Sequence, residues 1–379
     1  MTQKILFVAN IHKHFKAFHI PYIKYLQSKG FEVHVAANDD STKIEVADKQ
    51  YNIPIERTPL KINNIKAVRA LKELIRKEEY CLIHCHTPIG ALVTRLAAKE
   101  FRIEKKLKVV YTSHGFVFFK NSPKKFWYFY YPIEKYLSKF TDAIITINEE
   151  DYQNVLNKGF KNQFTYKVPG IGIGTEKFDN IDNTKKNHIR SKNSYQDADF
   201  LVLYVAEFIE RKNHKFIIEA IPRITNKIKN IKFLFAGRGV LQPELEQLSR
   251  TLEADKFVDF LGFRKDIGEV IMMSDIGISA SRYEGLPMNI AEEMYASKPV
   301  VISKVRGHVD LVKHGESGFL FENNNTDKFV HYIRELYENL EKRENMGRQA
   351  KIKSKKFELE NSLKVMSNIY AQFLDLKTD

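Results

Sequence analysis

Short apolar runs alternate with helical patterns from the start of the chain. Lys4-Ile-Leu-Phe-Val-Ala9 is an unbroken apolar run of the kind a strand covered on both faces requires. A helical stripe of Phe18, Tyr22, Tyr25 and Leu26 follows, and Gly30 closes it. The pattern then predicts a strand over 32–37, a helix over 64–77, a strand over 80–86, a helix over 89–99, and strands over 108–112 and 143–148. Strand, helix, strand without hairpin signals predicts a doubly wound parallel sheet. Residues 180–199 are polar and lack apolar periodicity, which reads as a linker region. Beyond it a second sheet is predicted, with strands over 200–206, 232–236, 258–261, 276–280 and 299–302. The expected architecture is two Rossmann-like α/β domains facing across a cleft. They span residues 1–180 and 200–360, joined by a linker at 181–199, and a C-terminal helix at 361–379 is expected to pack back on the first domain. Ligands of such sheets bind beyond the carboxyl ends of strands, so the loops there are where chemistry is sought.

A length of 379 residues suits two such domains, and 43% hydrophobic with 28% charged residues excludes a disordered or collagen-like chain. Two cysteines exclude a disulfide scaffold. There is no charged-then-apolar leader and no apolar run near the roughly 18 residues that cross a bilayer, so a cytoplasmic location is expected. The formal charge of +14 fits a polyanionic partner such as nucleic acid, anionic lipid or a phosphorylated substrate, or simply a Lys-rich composition. Its distribution narrows the choice: 29 basic residues face 18 acidic ones up to residue 180, and 32 face 29 beyond it. The excess therefore sits in the first half, where Lys124-Lys-Phe-Trp-Tyr-Phe-Tyr-Tyr131 joins lysines to aromatic rings in the manner of a membrane interface. Packing of the rings into a core is the other reading, and Pro132 argues against one continuous helix.

Four segments carry candidate chemistry. In Glu284-Gly-Leu-Pro-Met-Asn-Ile-Ala-Glu292, a strand runs through a Gly turn into a helix with Pro287 in its first turn. The amides of Gly285, Leu286, Pro287's successor Met288 and Asn289 then suit a phosphate, with Glu284 and Glu292 placed to accept hydrogen bonds from sugar hydroxyls. A capping carboxylate and a solvated helix Glu would produce the same letters. Arg211-Lys212, after the first strand of the second sheet, suits a diphosphate or an exposed basic turn. Gly237-Arg-Gly239 allows a close backbone approach to a nucleotide, but the full dinucleotide fingerprint is absent, which argues against a dehydrogenase. His114, before Gly115, either faces the cleft or serves a turn. Two metal-like patterns are set aside. On a strand Cys81 and Cys85 point away from His84 and His86, and Asp197-Ala-Asp199 falls in the polar linker, so no metal is expected.

Taken together, these residues resemble the retaining family-4 glycosyltransferases of the GT-B fold over essentially the whole chain. Glu284 and Glu292 look like that family's paired glutamates, and Phe260-Leu-Gly262 through Gly318-Phe-Leu320 is similar to its donor domain. His14-Phe-Lys-Ala-Phe-His19, His84-Cys-His-Thr-Pro88, Ser113-His-Gly-Phe116 and Thr146-Ile-Asn-Glu-Glu-Asp151 are similar to EpsD-type enzymes of exopolysaccharide and capsule synthesis. The resemblance implies a metal-independent, retaining hexosyltransferase that moves a sugar, expected to be an N-acetylhexosamine, from a UDP-sugar to a polyprenyl-diphosphate-linked saccharide. It needs no cofactor, uses no nucleic acid, and works at the inner face of the cell membrane, with biofilm or capsule as the product. Arg211 and Lys212 then hold the diphosphate, Glu292 the ribose and Glu284 the donor sugar, with Gly285, Leu286, Pro287, Met288 and Asn289 at the phosphates. Gly262, Phe263 and Arg264 lie by the base, and Gly237 beside the nucleotide. His114 is the first domain's catalytic histidine, and His12, His14 and His86 join it at the acceptor. The chain departs from the family at Ala206-Glu207, where many members have Gly-Arg, and at Asn10–Phe15, where many carry a Gly-rich loop. A UDP-N-acetylhexosamine 2-epimerase on the same fold and a basic nucleic-acid-binding protein are the alternatives.

Overall fold

A computed structural model describes residues 2–104, 107–178 and 183–376. The chain divides into two compact units, one of Met1–Ile171 with Glu360–Asp379, the other of Gly172–Leu359. Each is built on a parallel sheet.

The first unit contains strands β1 (Lys4–Ile11), β2 (Glu32–Asn38), β3 (Lys49–Asn52), β4 (Leu82–His86), β5 (Lys108–Ser113), β6 (Ala143–Thr146) and β7 (Phe164–Lys167), in the spatial order β3-β2-β1-β4-β5-β6-β7. Every pairing in it is parallel. The apolar runs form the central strands because helices cover both faces there and no position meets water. β3 and β7, Lys-Gln-Tyr-Asn and Phe-Thr-Tyr-Lys, carry no such run and were not predicted. They lie at the two edges, where one side of the ladder is open and polar side chains cost nothing.

The second unit contains β8 (Phe200–Val205), β9 (Ile231–Ala236), β10 (Val258–Gly262), β11 (Ile276–Ser279), β12 (Val300–Ser303) and β13 (Gly318–Phe321), in the order β10-β9-β8-β11-β12-β13. Successive residues of β8 serve opposite faces. Phe200, Val202 and Tyr204 pack with the helix His214–Thr225, whereas Leu201 and Leu203 pack with the helix Ile267–Met273.

Of the stretch 181–199 expected to be a linker, residues 179–182 around its start lie outside the described residues. Asn183–Lys192 forms a helix of the second unit instead of an open connection. Arg190 holds it there: its guanidinium is buried, pairs with Asp275 at 2.8 Å and donates to the carbonyl oxygens of Met273, Asp197 and Asp199. Ile189 is the buried apolar residue of this helix, packed beside Val270 and Ile271, and Lys186 also pairs with Asp275, so the helix shows no apolar stripe to read. The other end of the chain returns to the first unit, where the buried Tyr370 ends the helix Leu359–Tyr370 and shares a 2.7 Å hydrogen bond with His84 Nδ1. Lys124–Leu137 is one helix despite Pro132. Among the described residues no helix is long and apolar enough to cross a membrane.

Candidate active site

In a sheet ordered 3-2-1-4-5-6, the connections leave in opposite directions between the first and fourth strands and open a crevice at their carboxyl ends. In the second unit these strands are β8 and β11, and the loops that leave them, Ala206–Asn213 and Ala280–Pro287, meet there. Glu284 is buried at 6% exposure, and its carboxylate forks between two cations: Oε2 lies 2.7 Å from Arg211 Nη1 and Oε1 lies 2.5 Å from Lys212 Nζ. Burial pushes this carboxyl upward, but the charges of Lys212 and Arg211 outweigh it and hold it at about 2. Burial also lowers the Lys212 ammonium against the pull of Glu284. Glu284 stays ionised at neutral pH.

Backbone and hydroxyl contacts fix the two loops against each other. The amide of Arg282 donates to the Arg211 carbonyl at 2.9 Å, and Tyr204 Oη donates to the Lys212 carbonyl at 2.7 Å while sharing a 3.1 Å bond with Ser281. Asn289 anchors the following helix, Met288–Tyr295, by donating to the Val205 carbonyl at the end of β8. Pro287 is the extended residue just before that helix, one position earlier than predicted. The amides of Met288 and Asn289 head the helix, at its positive end.

A third loop, after β12, was missed. Arg306 is buried and donates from Nε to the carbonyl of Glu284 at 2.9 Å, and Gly307 presses on Gly285 so closely that a Cβ would stand 2.5 Å from its oxygen. With φ at +80°, Gly307 is held to glycine by conformation as well. The rule that pointed to Arg211 and Glu284 also covers Lys304-Val-Arg306-Gly307, since this loop too leaves the carboxyl end of a strand.

The remaining predicted donor residues have these contacts. Glu292 pairs with Lys177 at 2.6 Å, a partner with no sequence signal. Arg264 is engaged by Asp266 through two hydrogen bonds of 2.7 and 2.6 Å, and Phe263 beside it is 63% exposed. Gly262 accepts from the amide of Gly237. A Cβ on Gly237 would fall 1.9 Å from the carbonyl oxygen of Ala206, so the packing of this loop against the end of β8 requires glycine there. Leu286 is buried and Gly285 partly so.

The corresponding crevice of the first unit, at β1 and β4, holds histidines. His86 ends β4, His114 follows β5, and His14 and His19 lie on the helix His12–Phe18 and just after it. His86 is fully buried, and so is His12, whose Nε2 is 3.0 Å from Asn52 Oδ1. Of the four histidines expected at an acceptor, His14 and His114 are thus the ones with exposed surface. His84 is committed to Tyr370 and Thr112, both at 2.7 Å. Cys81 and Cys85 each donate to a backbone carbonyl, of Lys4 and Val110. Asp199 accepts from the amide of Gln196.

Two family models match this chain: "Glycosyl transferase 4-like" over residues 4–148 and "Glycosyl transferases group 1" over 185–353. A Bacillus subtilis (strain 168) protein named as a glycosyltransferase, EpsD, is 39% identical over 378 residues, covering 100% of this chain and 99% of that one. The Escherichia coli UDP-Gal:alpha-D-GlcNAc-diphosphoundecaprenol alpha-1,3-galactosyltransferase is 28% identical over 276 residues, 72% of this chain and 70% of that one. Among solved structures, HepE of Anabaena in complex with UDP superposes with a TM-score of 0.79 at 18% identity, covering 98% of this chain and 100% of that one. Its complex with UDP-glucose gives the same TM-score at 19% identity, over 97% and 99%. The likeness of these structures is one of fold, the GT-B arrangement of two parallel-sheet α/β domains.

Proposed function

Because this chain belongs to the group 1 and 4-like glycosyltransferases, we propose that it transfers a sugar from a UDP-sugar to a polyprenyl-diphosphate-linked saccharide with retention at the anomeric carbon. The observation that carries this reading is the convergence of Arg211, Lys212 and Glu284 beside the head of the helix Met288–Tyr295. Two cations and a helix N-terminus match a diphosphate leaving group, and a carboxylate between them matches sugar hydroxyls. Support for the substrates comes from relatives: HepE has been solved with UDP and UDP-glucose, and the E. coli relative's name carries UDP-Gal, a diphosphoundecaprenol acceptor and an alpha linkage. An exopolysaccharide or capsular product fits the resemblance to EpsD and, at 24% identity, to the Staphylococcus aureus capsular enzyme CapM.

In the proposed mechanism Arg211, Lys212 and the helix amides neutralise the charge that grows on the departing UDP, in the place a divalent cation takes in other transferases. Glu284 holds the donor sugar, and an acceptor hydroxyl attacks the face the UDP leaves, the anomeric C–O bond to UDP breaking as the new one forms and the hydroxyl proton passing to the departing phosphate oxygen. The Lys212 side chain is only 13% exposed and is held by Glu284, so its ammonium is already in position when charge develops. The first unit is read as the acceptor half, with His14 and His114 toward the saccharide.

The test is release of UDP from a panel of UDP-sugars with a polyprenyl-diphosphate saccharide, without added Mg2+ or Mn2+. Turnover that requires both substrates and disappears in Glu284→Ala is expected. Conversion of the donor alone would mark a 2-epimerase, and no UDP release with any pair would overturn the reading.

Association with the inner membrane face belongs to the same proposal. On the helix Lys124–Leu137, Tyr128, Phe129 and Tyr136 are exposed at 79%, 39% and 49%, whereas Trp127 turns inward and donates to the Phe119 carbonyl. Leu60, Ile62 and Ile65 are exposed too, among Lys61 and Lys66. Flotation with anionic liposomes is expected for the wild type and is expected to be lost when Tyr128, Phe129, Leu60 and Ile62 are all replaced by Ser. Equal flotation of both would reject these side chains as the anchor.

A further inference from the structure

Four of the first unit's histidines form a group that no single stretch of sequence displays. One nitrogen from each of His14, His19, His86 and His114 lies within 4.8 Å of those of the other three. His14 Nε2 and His19 Nε2 are 3.1 Å apart, and His86 Nδ1 and His114 Nε2 are 3.4 Å apart. We propose that these four side chains bind one divalent transition-metal ion, zinc(II) by its chemistry.

The geometry supports this in two ways. A tetrahedral zinc with nitrogens at about 2.0–2.1 Å spaces its ligands by about 3.3–3.4 Å, so two edges of the tetrahedron are nearly formed and the other pairs need to close by an ångström or so. The His86 ring is also fully buried and lies 3.9 Å from that of His19 and 5.6 Å from that of His114, so packing already holds the set together.

Selectivity within the crevice follows from the same contacts. His84 touches His86, ring to ring at 4.2 Å, but its two nitrogens are spent on Tyr370 and Thr112. His12 is turned to Asn52. An all-imidazole set favours zinc, copper or nickel over magnesium or calcium, which take oxygen, and four mutually close nitrogens suit the tetrahedron of zinc. With no carboxylate or thiolate in the set, the ion keeps its full charge, so the affinity is expected to be lower than in zinc fingers. A small cavity of about 20 Å³ lined by His19, His84, His86, His114, Tyr22 and Met366 adjoins the group. The ion would tie the segment after β1 to the ends of β4 and β5, at the crevice of the first sheet. It lies in the first unit, and binding is measured without donor or acceptor, so the inference is tested apart from the proposed reaction.

The experiment uses the full chain, stripped with a chelator, dialysed, and titrated with Zn2+ against a chromogenic competitor and with Co2+ by visible absorption. The expected result is one equivalent per chain, intense tetrahedral Co2+ bands, and a higher melting temperature with Zn2+. His14→Ala, partly exposed and least tied to the core, and His19→Ala are each expected to weaken binding by more than about 100-fold, since even loss of an outer-shell partner costs about 10- to 100-fold. His331→Ala, exposed and outside the group, is expected to bind as the wild type does. Wild-type binding no tighter than that of His14→Ala and His19→Ala, or Co2+ spectra of octahedral type, would overturn the proposal and leave the four rings as a hydrogen-bonded stack.

Discussion

Both sheets open a crevice at the same topological point, between β1 and β4 in the first unit and between β8 and β11 in the second, and the two crevices are filled with opposite chemistry. In the second, a buried carboxylate is stabilised as an anion by two cations within hydrogen-bonding distance. In the first, burial without counter-charges keeps a set of imidazoles neutral. The fold supplies the crevice, and the loop residues decide whether it holds fixed charge or lone pairs. Fixed charge is suited to a leaving group whose charge grows during reaction. Lone pairs are suited to an electrophile or to exposed polar groups of a neutral saccharide.

That contrast can be broken in four ways. The largest effect is expected on turnover: Lys212→Ala should slow UDP release about 10²- to 10³-fold at saturating donor, the cost of one preorganised donor to developing charge. If His114→Ala slowed it as much, the division of labour would fail. Next, Glu284 contributes stability through its depressed carboxyl, fully present above about 4.5, the unfolded value, and lost as pH falls toward about 2. Glu284→Gln should therefore cost about 2 to 3 kcal/mol at pH 7, with the difference shrinking below pH 4.5, read by hydrogen exchange in Ile276–Ser279.

The histidines act in another window. Unfolded imidazoles take up protons below about 6.5 that the folded ones refuse, so their contribution is complete above 6.5 and is lost as pH falls toward 4. His114 alone should account for about 2 kcal/mol after allowance for its partial exposure. Trp127, the single tryptophan and a residue of the first unit, reports this: its emission should change between pH 6.5 and 4 while exchange in Ile276–Ser279 stays slow. Simultaneous loss of both would refute the contrast. The smallest effect concerns Glu293. Its carboxyl is buried without hydrogen-bond partners, and burial, with Glu292 adding, holds it well above the usual carboxylate range. Gly277 makes room for it, since a Cβ there would fall 1.8 Å from Oε2. The unfolded chain ionises this group above pH 4.5 while the fold keeps the proton, so the second unit loses stability as pH rises. Glu293→Gln should flatten that decline and gain about 1 kcal/mol at pH 8 by urea denaturation.

The central strands were legible because burial on both faces demands unbroken apolar runs such as Lys4–Ala9, and Glu284, Arg211 and Lys212 were legible because they follow such runs directly. The edge strands Lys49–Asn52 and Phe164–Lys167 and the helix Asn183–Lys192 were not, since each owes its place to neighbours and not to its own pattern. Pro132 was read as a break, yet the helix Lys124–Leu137 continues through it, held from its inner face by the buried Arg95–Glu134 ion pair at 2.8 Å.

By itself the amino-acid sequence determined two parallel α/β sheets, the loops that carry the polar residues, and a family signature in Glu284 and Glu292. Tertiary structure alone decided which of those residues touch. It paired Glu284 with Arg211 and Lys212, gave Glu292 to Lys177, turned Gly237 toward Ala206, and gathered His14, His19, His86 and His114 from three separate stretches of chain. The physical reason is range. Hydrophobic periodicity is local and repeats along the chain, whereas an ion pair or a ligand set needs only a few ångströms in space and leaves no mark on sequence spacing.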